Sequence, residues 1–392
     1  MKKSRRKRSA GKAAKSSSFP LWKHPSDRWC KKSRGRFYYF GKVAVDPDGQ
    51  AALALWEAQK DYILAGLTPP TDTDGLSVRE LVNRFLSSKQ HKVDRGEITA
   101  RTFRDYHWTC ARIVDVFGKN RLVVDLAAGD FERLHNHMAK TLALVSRKTE
   151  IQKTRSVFKW AFDEGLIDRP IRYGQAFRSA TKKELRRARV ANGQTGARMF
   201  EADEIRKMIE AATPHFRAMI LLGVNCGFGN NDVATLRLSA LDLDRGWANH
   251  PRPKTGTPRR CPLWPETVQA LREAIAKRPA PKDPTHADLV FLTQYGNPWV
   301  QLRGKGWNDA VTIICRQLLD KLGLKRPGRN FYALRHTFET IGGESIDQVS
   351  VDLLMGHEDQ SMAAVYRERI SDDRLRAVVD HVRGWLFAER KS

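Results

Sequence analysis

The sequence predicts a mainly α-helical, multidomain protein that ends in a mixed α+β unit. Three observations carry this expectation. Apolar residues recur at helical spacing through most of the chain from residue 77 onward. A run of alternating basic and aromatic residues near the N terminus reads instead as short strands. Two breaks in composition, one proline-rich and one basic, separate three folded parts within the 392 residues.

Residues 1–18, "MKKSRRKRSAGKAAKSSS", form a basic tail expected to order only against phosphates. No apolar stretch follows it, so a secretory signal is not expected. Residues 19–70 read as a small sheet-plus-helix module. "RWCKKSRGRFYYFGKVAV" supplies two or three strands about a Ser33-Arg34-Gly35 turn. "DGQAALALWEAQKDYILAG" then places Ala52, Leu53, Leu55, Trp56 and Tyr62 on one helix face. Arg34, Arg36, Tyr38 and Tyr39 would suit contact with DNA, although both tyrosines would equally suit the module's core.

"LTPPTDTDG" marks the next boundary, and residues 71–170 read as an all-helical bundle. Ser77-Val-Arg-Glu80 is a capping-box pattern opening its first helix, with Leu81, Phe85 and Leu86 facing inward. Residues 171–198 are basic, contain glycine and lack apolar periodicity, which reads as a linker lying on phosphate or a solvated tether. Residues 199–392 form the final unit. In it "NHPRPKTGTPRRCPLW" reads as a hairpin turning at Lys254-Thr-Gly-Thr257, with a short strand expected near "DLVFLT". After residue 370, Leu375, Val378, Val379, Val382 and Leu386 share a helix face that could pack on its own domain or on a neighbouring protomer.

Charge narrows the function classes. Lys and Arg number 70 against 44 Asp and Glu, a formal net charge of +26. That excess calls for a polyanionic partner, and double-stranded DNA fits better than a membrane because no basic amphipathic helix stands out. No apolar run approaches the ~18 residues of a membrane span. The five cysteines are scattered, with no CxxC pair, which argues against a disulfide framework or a zinc site and suits a reducing cytoplasm.

Four stretches in the final unit concentrate the chemistry. "NCGFGNND" (225–232) lies between two helical runs, where glycines most simply make a turn and alternatively cradle an anion. "ALRHTFET" buries Arg335 in an apolar segment. "LLMGHEDQSMAAVYRER" holds His357 after a glycine, with Tyr366 following. Lys254 sits in the hairpin turn.

Together these stretches resemble the tyrosine recombinase (phage integrase) family. That resemblance implies a recombinase-like α+β catalytic domain after a helical core-binding domain, the two clamping duplex DNA, with an arm-type DNA-binding module ahead of them. It implies a site-specific recombinase, working as a tetramer on DNA through a 3′-phosphotyrosine intermediate, without a metal or other cofactor. Accessory DNA-bending proteins and a nucleoid-associated, cytoplasmic location would accompany such an activity. By the same resemblance Tyr366 is the nucleophile and Arg335 a phosphate ligand. His357 would donate to the phosphate or take the phenol proton, and Lys254 would protonate the leaving 5′-oxygen.

Two positions depart from the family pattern. Gly229 stands where the first catalytic arginine is usual, with Asp232 as the acidic residue three positions on. Tyr332 stands where His or Lys is usual, and its hydroxyl could still donate to a phosphate oxygen. Three expectations follow for the missing arginine. Backbone N–H groups around Gly227, Gly229 and Asn230, with the amides of Asn230 and Asn231, could cradle the phosphate. Alternatively Arg252, Arg259 or Arg260 could replace the cation, Arg237 being too far along its helix. Finally, cleavage could be lost, leaving a DNA-binding regulatory or architectural protein.

Overall fold

The computed structural model describes residues 19–67, 69, 75–193, 196–303, 306–358 and 361–388. The chain divides into two compact units, Met1–Ala188 and Arg189–Ser392. The basic tail and much of the proline-rich boundary lie outside the described residues.

In the first unit an antiparallel sheet of β1 (Trp22–His24), β2 (Arg28–Ser33) and β3 (Arg36–Lys42) precedes α1 (Gln50–Ala65). Arg34 and Gly35 both take positive φ, the geometry of a tight primed hairpin turn. Period-two alternation divides the aromatics of β3. Phe40 is buried with Trp29 and Trp56, and Tyr38 packs at the edge of that core. Tyr39 instead joins Trp22 and Phe37 on the exposed face. The two tyrosines therefore separate, Tyr38 against the core and Tyr39 at the surface.

The bundle that follows comprises α2 (Val78–Asp94), α3 (Ala100–Phe117), α4 (Ala128–Thr141) and α5 (Leu144–Asp163). The expected capping box is present: Ser77 Oγ accepts from the Glu80 N–H at 3.2 Å and the Ser77 N–H donates to Glu80 at 3.0 Å. α1 is anchored on this bundle. The buried Tyr62 hydroxyl donates to Asp125 at 2.8 Å and accepts from the Leu122 N–H at 2.6 Å. The sheet module and the bundle are consequently one compact unit rather than separate bodies.

Residues 171–198, expected as a basic linker, contain α6 (Lys182–Ala191). Its start is a capping box on Thr181: the hydroxyl accepts from the Glu184 N–H at 3.2 Å, and the Thr181 N–H donates to Glu184 at 2.7 Å. None of its residues is buried. That explains why apolar periodicity gave no sign of it, whereas the Thr-x-x-Glu spacing did.

The second unit is built on α8 (Pro214–Asn225), which is apolar on nearly every side and fully surrounded. α7 (Ala202–Ala211) precedes it, and the five-residue α9 (Asn230–Ala234) follows. Three strands of two residues, β4 (Leu241–Asp242), β5 (Trp247–Ala248) and β6 (Cys261–Pro262), make an antiparallel sheet. Its β5–β6 hairpin is the one expected, with the Arg252 N–H bonded to the Thr257 carbonyl at 2.8 Å just before the turn. After α10 (Pro265–Ala276), the segment expected as a strand near Leu289 forms only isolated bridges.

β7 (Val300–Arg303) and β8 (Gly306–Asp309) pair ahead of α11 (Ala310–Lys321), so "GWND" is strand rather than the start of that helix. α12 (Ala333–Gly343), α13 (Gln348–Met355), α14 (Met362–Tyr366) and α15 (Asp372–Phe387) complete the unit. α15 packs on its own domain. Leu375, Val378, Val379, Val382 and Leu386 join the central core, and Trp264 Nε1 donates to the Val379 carbonyl at 2.9 Å. Among the described residues no helix is long and apolar enough to cross a membrane.

Candidate active site

Arg335 occupies the first turn of α12 and is 3% exposed. Its guanidinium reaches out of the apolar helix face to polar partners brought by two other segments. Nη1 donates to the Gly227 carbonyl at 2.7 Å, and Nη2 donates to the Met355 carbonyl at 2.7 Å. Nη2 also meets His357 Nε2 at 3.0 Å, across 22 residues of sequence. Among the described residues these contacts leave one Nη1 proton and the Nε proton without a protein acceptor. Burial, followed by the nearby Arg252 and Arg259 cations, lowers the Arg335 pKa, while Tyr332 and Asp232 oppose the shift.

His357 follows α13 through Gly356, whose φ of 64° places it in the left-handed region and turns the chain sharply. The ring's Nδ1 lies 3.0 Å from Asp352 Oδ1. Both contacts are satisfied together when Nδ1 carries the proton and Nε2 accepts from Arg335, so Asp352 fixes the tautomer. Asp352 was not anticipated from sequence. Glu339 and Asp352 also put carboxylate atoms within 4.8 Å of the His357 ring. Gln348 donates to both acids, at 3.0 and 3.2 Å, tying the group into a hydrogen-bond network.

The stretch "NCGFGNND" is bonded to side chains from elsewhere in the unit. Gly227 has φ 62°, and a Cβ there would come 2.9 Å from the Phe338 ring, so glycine is required where the carbonyl turns toward Arg335. The Gly229 N–H is bonded to Asp232 Oδ2 at 2.7 Å as the cap of α9. The Asn230 amide donates to Asp309 and Thr312 at 3.1 and 2.8 Å, and Asn231 lies exposed. Two of the donors expected to cradle an anion, the Gly229 N–H and the Asn230 side-chain amide, thus already have protein partners.

The hairpin arginines separate into three environments. Arg259 is sealed, its side chain 0% exposed, with Nη2 on Asp232 Oδ1 at 2.8 Å and Nε on the His250 carbonyl at 2.9 Å. Its guanidinium also lies 4.5 Å from the centre of the Phe228 ring. The neighbouring His250 is held neutral by burial and then by the Arg259 charge, its pKa pushed down to about 4. Arg260 points outward to Asp372 and over the Trp247 ring. Arg252 is half-buried and donates to the Gly356 carbonyl at 3.1 Å. Neither Arg259 nor Arg260 therefore presents a free guanidinium at Arg335.

The two departures from the family pattern touch each other. A Cβ on Gly229 would lie 3.0 Å from two carbons of the Tyr332 ring and 3.3 Å from Asp232 Oδ2. Gly229 itself has φ −94° and ψ −179°, an extended backbone open to any residue, so the constraint is steric. Gly229→Ala is expected to destabilise the domain by about 1–2 kcal/mol, overpacking outweighing the entropic gain of removing a glycine. Most of that loss should return in the double variant with Tyr332→Ala. A denaturant double-mutant cycle checks the coupling, and additive effects would show the contact to be incidental.

Tyr366 ends α14, 78% exposed, its hydroxyl without a hydrogen-bond partner among the described residues. Lys254 lies exposed in the hairpin turn. The structure thus gathers Arg335, His357, Tyr332, Arg252 and the Gly227–Gly229 loop, and leaves Tyr366 and Lys254 at the surface outside their hydrogen-bond network.

Residues 198–371 match the model of the phage integrase family. That match spans most of the second unit. The structure is similar to one of a lambda integrase tetramer bound to a Holliday junction, with TM-score 0.55 and 16% identity, covering 91% of this chain and 99% of that one. It is also similar to a lambda integrase dimer bound to a COC′ core site (TM-score 0.55, 17% identity, 92% and 98% covered). A third similar structure is the Tn1549 transposon integrase in complex with transposon right end DNA (TM-score 0.53, 18% identity, 78% and 99% covered). At these identities the likeness establishes the fold. A search of curated protein sequences returns no match.

Proposed function

We propose that this protein is a site-specific DNA recombinase that cuts and rejoins duplex DNA through a 3′-phosphotyrosine on Tyr366. The observation that carries the reading is the Arg335–His357 contact at 3.0 Å, backed by Asp352. Among the described residues, one Nη1 proton and the Nε proton of Arg335 have no protein acceptor. A phosphodiester is a poor electrophile whose displacement gathers charge on its non-bridging oxygens, and a planar guanidinium is the group suited to hold them. Tyr366 attacks phosphorus and the 5′-oxygen leaves. Lys254 donates the proton that oxygen needs, from a turn where its amine is free to swing. With its Nδ1 proton held by Asp352, His357 presents Nε2 as an acceptor that assists loss of the phenol proton.

The exposed Trp22, Phe37 and Tyr39 face of the N-terminal sheet, with the charge of +26, supports a second DNA-contacting surface of arm type. Lambda integrase is seen as a tetramer on a Holliday junction. A DNA-bound tetramer is the assembly we propose here, with accessory DNA-bending proteins and a nucleoid location following from that role. A second reading, a non-cleaving DNA-binding regulator, draws on Gly229 standing in the arginine position and on the Tyr366 hydroxyl having no contact with Arg335.

Trapping separates the two. The full chain selects a binding duplex from a random pool, and nicks are then placed beside each candidate phosphate so that the cleaved strand diffuses away. The recombinase reading expects a denaturation-resistant protein–DNA adduct that disappears in Tyr366→Phe while duplex affinity stays within about threefold, since one hydroxyl is removed from an exposed side chain. Tight binding with no adduct from the parent chain would establish the regulator instead.

A further inference from the structure

We propose that Arg252 is the second phosphate-binding guanidinium of this site, replacing from the hairpin the cation that position 229 lacks. The inference rests on the recombinase reading and identifies one more ligand of its scissile phosphodiester.

Position is the first argument. Consecutive carbonyls hold two guanidiniums side by side: Met355 accepts from Arg335 at 2.7 Å, and Gly356 accepts from Arg252 at 3.1 Å. Only a glycine permits this approach. A Cβ at 356 would fall 3.1 Å from the Arg252 Cβ and 2.6 Å from the Arg259 Cδ, on a backbone already at φ 64°. Arg252 is also fixed at its own backbone. Its N–H bonds to Thr257 at 2.8 Å, and its carbonyl accepts from Gly256 at 2.8 Å, closing the turn that carries Lys254.

Charge is the second argument. Asp232 is already bonded to Arg259 and to the Gly229 N–H. Asp352 is bonded to His357. Among the described residues no carboxylate pairs with Arg335 or Arg252, and their only oxygen partners are backbone carbonyls. Two like charges gathered in a partly dry site repel one another, and a monoanion seated between them removes that repulsion. A non-bridging phosphodiester oxygen has the right charge and the right acceptor geometry for both forks.

The other hairpin arginines do not fit. Arg259 has no exposed side-chain surface to offer a ligand, and Arg260 is engaged with Asp372.

The test uses the full chain on the selected nicked duplex, prepared with an ordinary phosphodiester or with a neutral methylphosphonate at the scissile position. Arg252→Ala should slow adduct formation by about 10²–10³-fold on the phosphodiester. On the methylphosphonate, which has no charge to neutralise, the deficit should shrink below about tenfold. Arg252→Lys should recover part of the loss on the phosphodiester, and Arg260→Ala should match the parent on both. A merely structural role for Arg252 would slow both substrates equally, and that result, or parental rates in Arg252→Ala, overturns the assignment.

If the parent forms no adduct on either substrate, the recombinase reading falls. Arg252 is then judged on duplex binding against salt. A log–log slope shallower by about one in Arg252→Ala supports a phosphate contact, and an unchanged slope overturns it.

Discussion

Arg335→Ala is expected to reduce adduct formation on a nicked duplex by about 10³-fold or more, and Arg335→Lys by about 10²-fold. The alanine variant removes the planar donor array and strands three acceptors, the Gly227 and Met355 carbonyls and His357 Nε2. Each stranded buried acceptor costs roughly 1–3 kcal/mol unless water reaches it, so thermal stability should fall as well. Lysine keeps the charge but cannot span both carbonyls, and it frees His357 to rotate. Single-turnover adduct rates, read beside a melting curve, separate the two effects. A folded Arg335→Ala cleaving within tenfold of the parent would remove this residue from the reaction.

How much of this site could be read in the sequence depended on what each residue's partner was. Arg335 and His357, which the structure brings into contact, were marked by their neighbours in sequence; Tyr366 was marked in the same way and stands exposed apart from them. Helices with one apolar face were legible for the same reason, since α15 buries Leu375, Val378, Val379, Val382 and Leu386 at that spacing. The linker helix α6 escaped because it buries nothing, though Thr181 and Glu184 announced its start. What sequence could not decide was the use of each polar group in three dimensions. Asn230, Asn231 and the Gly229 N–H looked available for an anion, yet Asp309, Thr312 and Asp232 engage Asn230 and the Gly229 N–H. Arg259 and Arg260 are adjacent in sequence and face opposite environments, one sealed on Asp232 and the other exposed on Asp372. The contact of Tyr332 with Gly229 spans far too much chain for any periodicity to reveal. It turns two separate departures into one steric unit.

Asp232→Ala is the substitution expected to damage the domain most, by about 3–5 kcal/mol. Asp232 serves two partners at once: Oδ1 pairs with the sealed Arg259 guanidinium and Oδ2 caps the Gly229 N–H. Alanine leaves a cation buried against Phe228 and the neutral His250, with Nη1 already lacking a partner. An unpaired buried charge is far costlier than the absence of the pair, so removing both partners should be milder than removing one. Asp232→Asn combined with Arg259→Met keeps an amide oxygen at the cap and fills the channel with a side chain of similar length. Chemical unfolding followed by fluorescence of Trp247, Trp264 and Trp299 reads this domain, since all three are buried in its core. The double variant should regain at least half of the loss suffered by Asp232→Ala. It should also form the DNA adduct within about tenfold of the parent, because a guanidinium with no exposed surface supports the site from behind and does not touch the phosphate. Recovery of stability without recovery of cleavage would instead make Arg259 a ligand of the reacting group and displace Arg252 from that role.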